Sequence, residues 1–341
     1  MPSAPLPTTE ILARVVRAAA RAPSVHNTQP WRFTASGDGA VVDLFADRSR
    51  QLPVLDPDGR QLHLSCGAAL QHARVAARAE GLQVEVTVLP EPADPDHLAR
   101  LMLGPGRPPS PQETALADAG EQRRTHRSPF DSAGVPLEVL EQLRAAVAGE
   151  GAGLRRVGSP DALVELAVLL ANADDEQSRD PRYREELERW TDLPGLPESG
   201  IGADVLDPAS GVGSSLSLRR FTHDHADAAS AGDTSTGDAA SMTEPPPAEH
   251  PDVVVLVTPG DGPPDWLQAG QALGALLLTA ASQGVLAQPL GQVTDTAGYR
   301  ARLATALGLS GVPQLALRLG VPVSTGPATR RRPLGQVLRP W

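Results

Sequence analysis

The alternation of apolar and polar positions predicts secondary structure along most of the chain. At the start, Ile11, Leu12, Val15, Val16 and Ala19 fall on one face of a helix. The same reasoning predicts helices at 9–21, 67–80, 136–148, 160–174, 180–191, 268–283 and 296–307, a hairpin near 32–46, and strands at 84–89, 253–257 and 314–320. Strands separated by helices without regular βαβ spacing indicate an α+β sandwich.

Two parts of the sequence resemble each other, which predicts an internal repeat. Gly67 to Gly81 and Gly270 to Gly284 are both intervals of 14 residues, and five of their fifteen aligned positions are identical. The repeat divides the chain into a first half at 1–103, a proline-rich linker at 104–120 and a second half at 121–341. Because proline at this density blocks both helix and ladder, we expect the linker to be irregular.

The second half carries an insert at about 197–251 that is rich in Gly, Ala, Ser, Thr and Asp. A segment this long and weakly apolar cannot bury enough surface to order itself. In a compact protein such an insert is either disordered or a lid over a site, and the sequence leaves both alternatives open.

Composition excludes several classes of function. The net charge of −11 and the pI of about 5.2 argue against a nucleic-acid partner and against charge-driven membrane binding. No apolar run reaches the roughly 18 residues of a membrane helix, so we expect a soluble cytoplasmic protein. Cys66 is the single cysteine, which excludes an internal disulfide, and burial is favoured over a nucleophilic role.

All 30 basic residues are arginine, and the sequence contains no lysine. Schiff-base chemistry and the lysine-containing phosphate loop are therefore excluded. An anion must be held by guanidinium groups, helix N-termini or backbone amides.

The segment 22–33 has the highest density of polar residues that could bind a ligand. Pro23 ends the first helix, because a proline disfavours the α region for the residue before it. A run of small and amide-bearing polar residues follows, before Trp31 and Phe33. These donors and acceptors suit the edge of a planar heterocycle. The alternative is a self-capped turn whose tryptophan anchors it in the core.

Two arginine clusters are candidate anion sites. The first is 123–127, with Arg123, Thr125 and Arg127, and the second is 330–332, with Arg330 and Arg332. Guanidinium forks match phosphate oxygens two at a time, so either cluster could clamp a phosphate. The alternatives are a solvated basic run and a basic tail.

The segment Pro23-Ser24-Val25-His26-Asn27-Thr28-Gln29-Pro30-Trp31 resembles the loop signature of the FMN-dependent nitroreductase superfamily, and in particular its Acg branch. The arginine clusters are similar to that family's N-terminal Arg-x-Ser-x-(Lys/Arg) and C-terminal basic elements, with Thr125 replacing the serine. The resemblance implies a nitroreductase-like α/β/α sandwich. It also implies an FMN site, whose residues would be Ser24, Val25, His26, Asn27, Arg123, Thr125, Arg127, Gly291, Arg330 and Arg332.

The loop occurs only in the first half and the arginine elements only in the second. Superfamily members are usually homodimers with the flavin between subunits. The resemblance therefore implies a dimer fused into one chain, acting as a monomeric pseudo-dimer with one complete site; a further oligomer remains open.

Three functions remain open at this point. The resemblance implies reduction of a nitro or quinone acceptor, with FMN as cofactor and NAD(P)H as transient reductant. The alternative is FMN storage under a lid, for which Phe221 is the candidate lid residue. A third hypothesis is a metal cluster at His223, Asp224, His225 and Asp227, although solvated polar residues are the favoured interpretation there.

Overall fold

A computed structural model describes residues 8–191, 198–202 and 250–340. The described residues form two antiparallel-rich sheets with helices packed between and around them. The helices are α1 (Thr9–Ala20), α2 (Arg60–Ala79), α3 (Pro111–Gln122), α4 (Leu137–Gly149), α5 (Pro160–Arg179), α6 (Pro181–Arg189), α7 (Pro263–Ser282), α8 (Gln292–Asp295), α9 (Ala297–Ala306) and α10 (Leu334–Val337). The strands are β1 (Trp31–Ala35), β2 (Val41–Ala46), β3 (Leu82–Val88), β4 (His97–Pro105), β5 (Gly153–Val157), β6 (Asp252–Thr258), β7 (Leu286–Pro289), β8 (Val312–Gly320) and β9 (Leu338–Pro340).

The first sheet has the strand order β3-β4-β2-β1-β9, and the second has the order β5-β6-β8-β7. The C-terminal strand β9 lies parallel to β1, with Phe33 paired to Leu338. The end of the chain therefore completes the sheet that the N-terminal segment begins. This pairing brings the residues just before β9 next to the 22–33 loop.

The two long helices α2 and α7 pack against each other at the centre of the fold. A Cβ added to Gly67 would lie 2.8 Å from the Cα of Gly270, and one added to Gly270 would lie 2.7 Å from the Cα of Gly67. The backbones can approach this closely only because both residues lack a side chain. The two glycines that head the predicted repeats thus face each other, while the duplication itself stays a prediction.

Separate apolar clusters fill the layers. The first joins α1 and α2 to the first sheet, with Trp31 and Phe33 fully buried. The second joins α4 and α7 to one face of the second sheet, and the third joins α5 and α9 to its other face. The second sheet is therefore sandwiched between helices, and the predicted α+β class is confirmed.

Several elements differ from the sequence prediction. Helix α2 begins at Arg60 rather than at 67. The sequence prediction missed its first two turns because they are buried on all sides and show no amphipathic pattern. The segment predicted as a linker at 104–120 contains the end of β4 and most of α3. Ser110 and Glu113 form a capping box at the start of that helix, where Pro111 is tolerated in the first turn. Strands β4, β5, β7 and β9 were not predicted.

Candidate functional site

The loop after α1 has an unusual backbone conformation. His26, Asn27 and Gln29 have φ values of 45°, 52° and 51°, in the left-handed region. For residues other than glycine, such conformations cost about 1–3 kcal/mol each and persist where surrounding structure holds them. Here the Oγ of Ser24 accepts from the backbone N of Gln29 at 2.9 Å, and the Oγ of Ser65 accepts from the N of Val25 at 3.3 Å. The loop is thereby fixed against α2.

A cavity of about 130 Å³ lies between this loop, α2 and the second sheet, and we call it the central cavity. The residues predicted for the site that line it are Ser24, Val25, His26, Thr125, Arg127 and Gly291. These residues come from three distant stretches of the chain. The structure thus brings together the N-terminal loop, part of the first arginine cluster and the turn after β7.

The segment that carries Thr125 and Arg127 is held at the edge of the second sheet. Thr125 forms a parallel bridge with Ala287, and the backbone N of His126 donates to the carbonyl of Ala287 at 3.0 Å. Arg127 follows at the cavity wall, where burial lowers the pKa of its guanidinium to about 10. Arg127 therefore stays charged at neutral pH and presents a desolvated cation at this wall.

Asn27 does not line the central cavity; it binds the C-terminal segment and the described start of the insert. Its Nδ2 donates to the carbonyls of Gly200 at 2.9 Å and Arg330 at 3.2 Å. Its Oδ1 accepts from the guanidinium of Arg331 at 3.1 Å. Asn27 thus ties the loop to the second arginine cluster.

Of the arginines in that cluster, Arg331 shares a hydrogen-bond acceptor with Arg123 of the first cluster. Its Nη2 donates to the carbonyl of Arg21 at 3.2 Å, and the Nη2 of Arg123 donates to the same carbonyl at 2.9 Å. The guanidinium of Arg332 instead donates to the backbone carbonyls of Gln29 and Trp31. The backbone carbonyl of Arg330 accepts a hydrogen bond from Asn27. The sequence had singled out Arg330 and Arg332 and passed over Arg331.

Two cations, the buried Arg123 and the half-buried Arg331, donate to the same backbone carbonyl. Burial, followed by the charges of Arg331 and Arg21, lowers the pKa of Arg123 to about 9. Burial, with Arg21, lowers the pKa of Arg331 to about 10. The Nε atoms of Arg123 and Arg331 have no hydrogen-bond partner within the described ranges. An anion placed between these groups would relieve both the repulsion and the unmet hydrogen bonds.

Sequence reasoning missed several polar residues of the central cavity. They are Gln61, Ser65, Gln288, Gln292 and Asp295. Gln61 Nε2 donates to Asp295 Oδ1 at 2.8 Å, and Gln288 Oε1 accepts from Arg318 at 2.6 Å. Gln292 is 1% exposed and its Nε2 has no hydrogen-bond partner in the part of the chain that the structure covers. Gln288 could have been found from the sequence, because it belongs to the same Gln-Pro-Leu-Gly motif as Gly291. No motif contains Gln61 or Ser65.

The remaining predicted residues have different outcomes. Phe221 and the His223–Asp227 cluster lie outside the described residues. Cys66 is buried, its Sγ contacts the carbonyl of Pro30 at 3.2 Å, and burial raises the pKa of its thiol, so the expected burial is confirmed.

Among the described residues no group of His, Cys, Asp and Glu could hold a metal ion, and no described helix is long and apolar enough to span a membrane.

Comparisons with known proteins give the family. The sequence profile of the "Nitroreductase family" matches residues 3–55. The chain is 34% identical over 336 residues to "Putative NAD(P)H nitroreductase Rv3131" of Mycobacterium tuberculosis, covering 97% of this chain and 92% of that protein. It is 32% identical over 335 residues to "Putative NAD(P)H nitroreductase acg" of the same organism, covering 97% and 96%. The chain belongs to the nitroreductase family, and the resemblance carried by its loop is confirmed.

Solved structures of nitroreductases are also similar to it. One is the FMN-dependent nitroreductase NfnB from Mycobacterium smegmatis in complex with NADPH, with 17% identity and a TM-score of 0.38, covering 66% of this chain and 98% of that one. Another is a nitroreductase with bound FMN from Bacteroides fragilis, with 15% identity and a TM-score of 0.37, covering 64% and 94%.

Proposed function

We propose that this protein binds FMN in the central cavity and transfers electrons from NAD(P)H to a small nitro or quinone acceptor. The observation that carries the proposal is the meeting of the 24–26 loop with Thr125 and Arg127 around one cavity. Beside it, Asn27 accepts from the guanidinium of Arg331, which shares the carbonyl of Arg21 with the buried Arg123. Family membership and the names of the relatives point the same way.

The residues present fit a mononucleotide with one phosphate and a polar ring edge. Arg123 and Arg331 would hold the phosphate, because their Nε atoms lack partners and their charges repel each other. Gln292 would donate to the ring edge from its unpartnered Nε2. Ser24 and Thr125 add hydroxyl groups to the lining of the cavity. The atoms without partners on Arg123, Arg331 and Gln292 would thereby each have a counterpart on FMN.

When bound, FMN supplies the two-electron carrier for the reaction. The chain's part is to bind, orient and exclude water. Leu64, Leu273 and Leu315 give the cavity apolar surface, which keeps water out and strengthens electrostatic interactions inside. Arg127 places a fixed positive charge at the wall, which stabilises negative charge that develops during reduction.

The reductant and the acceptor would use the same face in turn. The sequence contains no dinucleotide-binding glycine motif, so NAD(P)H would be bound only transiently. No side-chain base is required for this exchange. The single composite site would make one chain sufficient as a pseudo-dimer.

The storage alternative is not favoured by the comparisons, since relatives over nearly the full chain carry nitroreductase names. Of the insert, the described residues 198–202 reach the site: Ile201 lines the central cavity, and the carbonyl of Glu198 accepts from Gln29 at 2.7 Å. The candidate lid residue Phe221 stays a prediction.

Two measurements on the purified protein test the proposal. The visible flavin spectrum should persist after gel filtration of protein mixed with FMN. Anaerobic stopped-flow mixing with NADPH should then bleach it, and a nitroaromatic or quinone should restore it. Absence of bound flavin would refute the cofactor, whereas flavin reduced by dithionite but inert to both pyridine nucleotides would support storage instead.

A further inference from the structure

A second cavity, of about 520 Å³, lies between α1, α2 and α3 and reaches the segment before β9. We call it the outer cavity. It shares no lining residue with the central cavity. Its lining also includes Arg331, which would hold the flavin phosphate, so the two sites adjoin, and titration with and without FMN decides whether they are separate.

The floor of the outer cavity is apolar and combines small side chains with the larger Val75, Leu116, Leu278, Leu334 and Val337. Ala18 comes from α1, Ala76 and Ala79 from α2, and Ala117 from α3. Small residues on three packed helices leave room that larger side chains would fill. Such a floor accepts aliphatic or aromatic carbon, because burying apolar surface is favourable by about 25 cal/mol per Å².

The rim of the outer cavity is positively charged, although the whole chain carries −11. Arg14 is held by Glu10 and Glu80, and Arg332 is committed to backbone carbonyls. Arg17 makes no hydrogen bond or ion pair to any residue that the structure describes. Arg21 lies four residues later, at the C-cap of α1, and donates to the carbonyl of Glu121 at 2.8 Å. These two like charges on one helix face repel each other and favour a shared anion.

A buried histidine also lines the outer cavity, close to Arg123 and Arg331. His72 on α2 lines it, is 3% exposed, and has an Nε2 atom without a hydrogen-bond partner within the described residues. Buried polar atoms without partners are rare in native structures and call for an explanation such as a bound ligand. Burial, reinforced by Arg123 and Arg331, lowers the pKa of His72 well below its usual value, so the ring is neutral.

From this arrangement we propose that the outer cavity binds an amphipathic monoanion, a carboxylate on an aliphatic chain or ring, with the carboxylate at Arg17 and Arg21 and the apolar body on the alanine floor beside His72. Asp118 and Glu121 also lie on the rim. Their negative charges offset part of the positive charge, which favours a singly charged ligand over a phosphate dianion.

Calorimetric titration with decanoate tests this site, with decanol and inorganic phosphate as comparison ligands. Each is titrated into FMN-saturated and FMN-free protein. We expect decanoate to bind in both forms and at least tenfold more tightly than decanol or phosphate. Because the FMN-free protein is included, failure of the flavin proposal would not obscure this result.

Variants locate the binding. Arg17→Gln should weaken decanoate binding about tenfold, which corresponds to about 1.4 kcal/mol. Ala117→Phe should abolish it by filling the floor. The control Arg179→Gln removes a 77% exposed arginine on α5 and should change nothing.

Several outcomes would overturn the proposal. They are no decanoate binding at all, binding lost on FMN saturation, phosphate binding as tight as decanoate, or unchanged binding in both Arg17→Gln and Ala117→Phe. Loss of binding on FMN saturation would mean that the outer cavity belongs to the flavin phosphate.

Discussion

Replacing Arg123 with methionine should stabilise the FMN-free protein while weakening its affinity for FMN. Methionine keeps the apolar stem and removes the charge. The carbonyl of Arg21, which Arg123 contacts at 2.9 Å, still accepts from Arg331. The substitution therefore leaves no buried acceptor without a donor, and its main effect is the loss of one buried cation.

The size of the effect follows from the pKa. The lowering of the pKa of Arg123 from the ordinary arginine value to about 9 corresponds to about 5 kcal/mol that opposes the charged form in the folded protein. Losing its hydrogen bond to the Arg21 carbonyl costs about 1.5–3 kcal/mol, because the donor is charged. The free energy of unfolding should then rise by about 2–3.5 kcal/mol. Removing one charge-assisted contact to the FMN phosphate should raise the Kd for FMN about thirtyfold.

Urea unfolding of the FMN-free protein and fluorescence titration with FMN measure the two quantities. The matched control is Arg124→Met, which removes the neighbouring arginine that donates to the carbonyls of Gln122 and Gly326. Its FMN affinity should equal that of the parent. Lower stability of Arg123→Met with unchanged FMN affinity would refute the reasoning, since Arg123 would then be only structural. Unchanged affinity with higher stability would remove it from the phosphate site.

Three further predictions concern the helices and the cavity. Gly67→Ala should lower the free energy of unfolding by about 3 kcal/mol, because its Cβ would lie 2.8 Å from the Cα of Gly270; unchanged urea unfolding would contradict that packing. Burial raises the pKa of Asp56 from its reference value of 3.8 to about 6. The free energy of unfolding should therefore be highest below about pH 4 and should fall by about 3 kcal/mol as the pH rises through 6, because the unfolded chain loses this proton first. The free energy of unfolding of Asp56→Asn should change less with pH than that of the parent between pH 4 and 6. An equal change in both proteins would show that Asp56 does not titrate in this way. Gln292→Met should weaken FMN binding about tenfold, as loss of one buried donor does, without lowering stability, and a stability loss with normal binding would assign Gln292 to the scaffold.

The elements with a regular pattern were predictable, and those without one were not. Helix α1 and the hairpin of β1 and β2 follow from local periodicity. The start of α2 does not, because Arg60 is buried and polar, with its guanidinium bound to backbone carbonyls of the second half. The pairing of β9 with β1 joins the two ends of the chain, and no local pattern reveals such a contact.

The site was predictable where a motif carries it. Ser24, Thr125, Arg127 and Gly291 were named from linear motifs and line the central cavity. Choosing Arg331 from three consecutive arginines requires knowing how the backbone turns before α10. Gln292 is also unrecognisable in sequence, since only the fold shows that its amide nitrogen is buried without a partner.

The stoichiometry of bound flavin tests the central claim most directly. Protein saturated with FMN, freed of excess and denatured should release a single FMN per chain, and the bound flavin should be bleached by NADPH. One flavin per chain is expected because the 24–26 loop and the arginine clusters each occur once. Two flavins per chain, or none, would contradict a composite site built once from both halves of the chain.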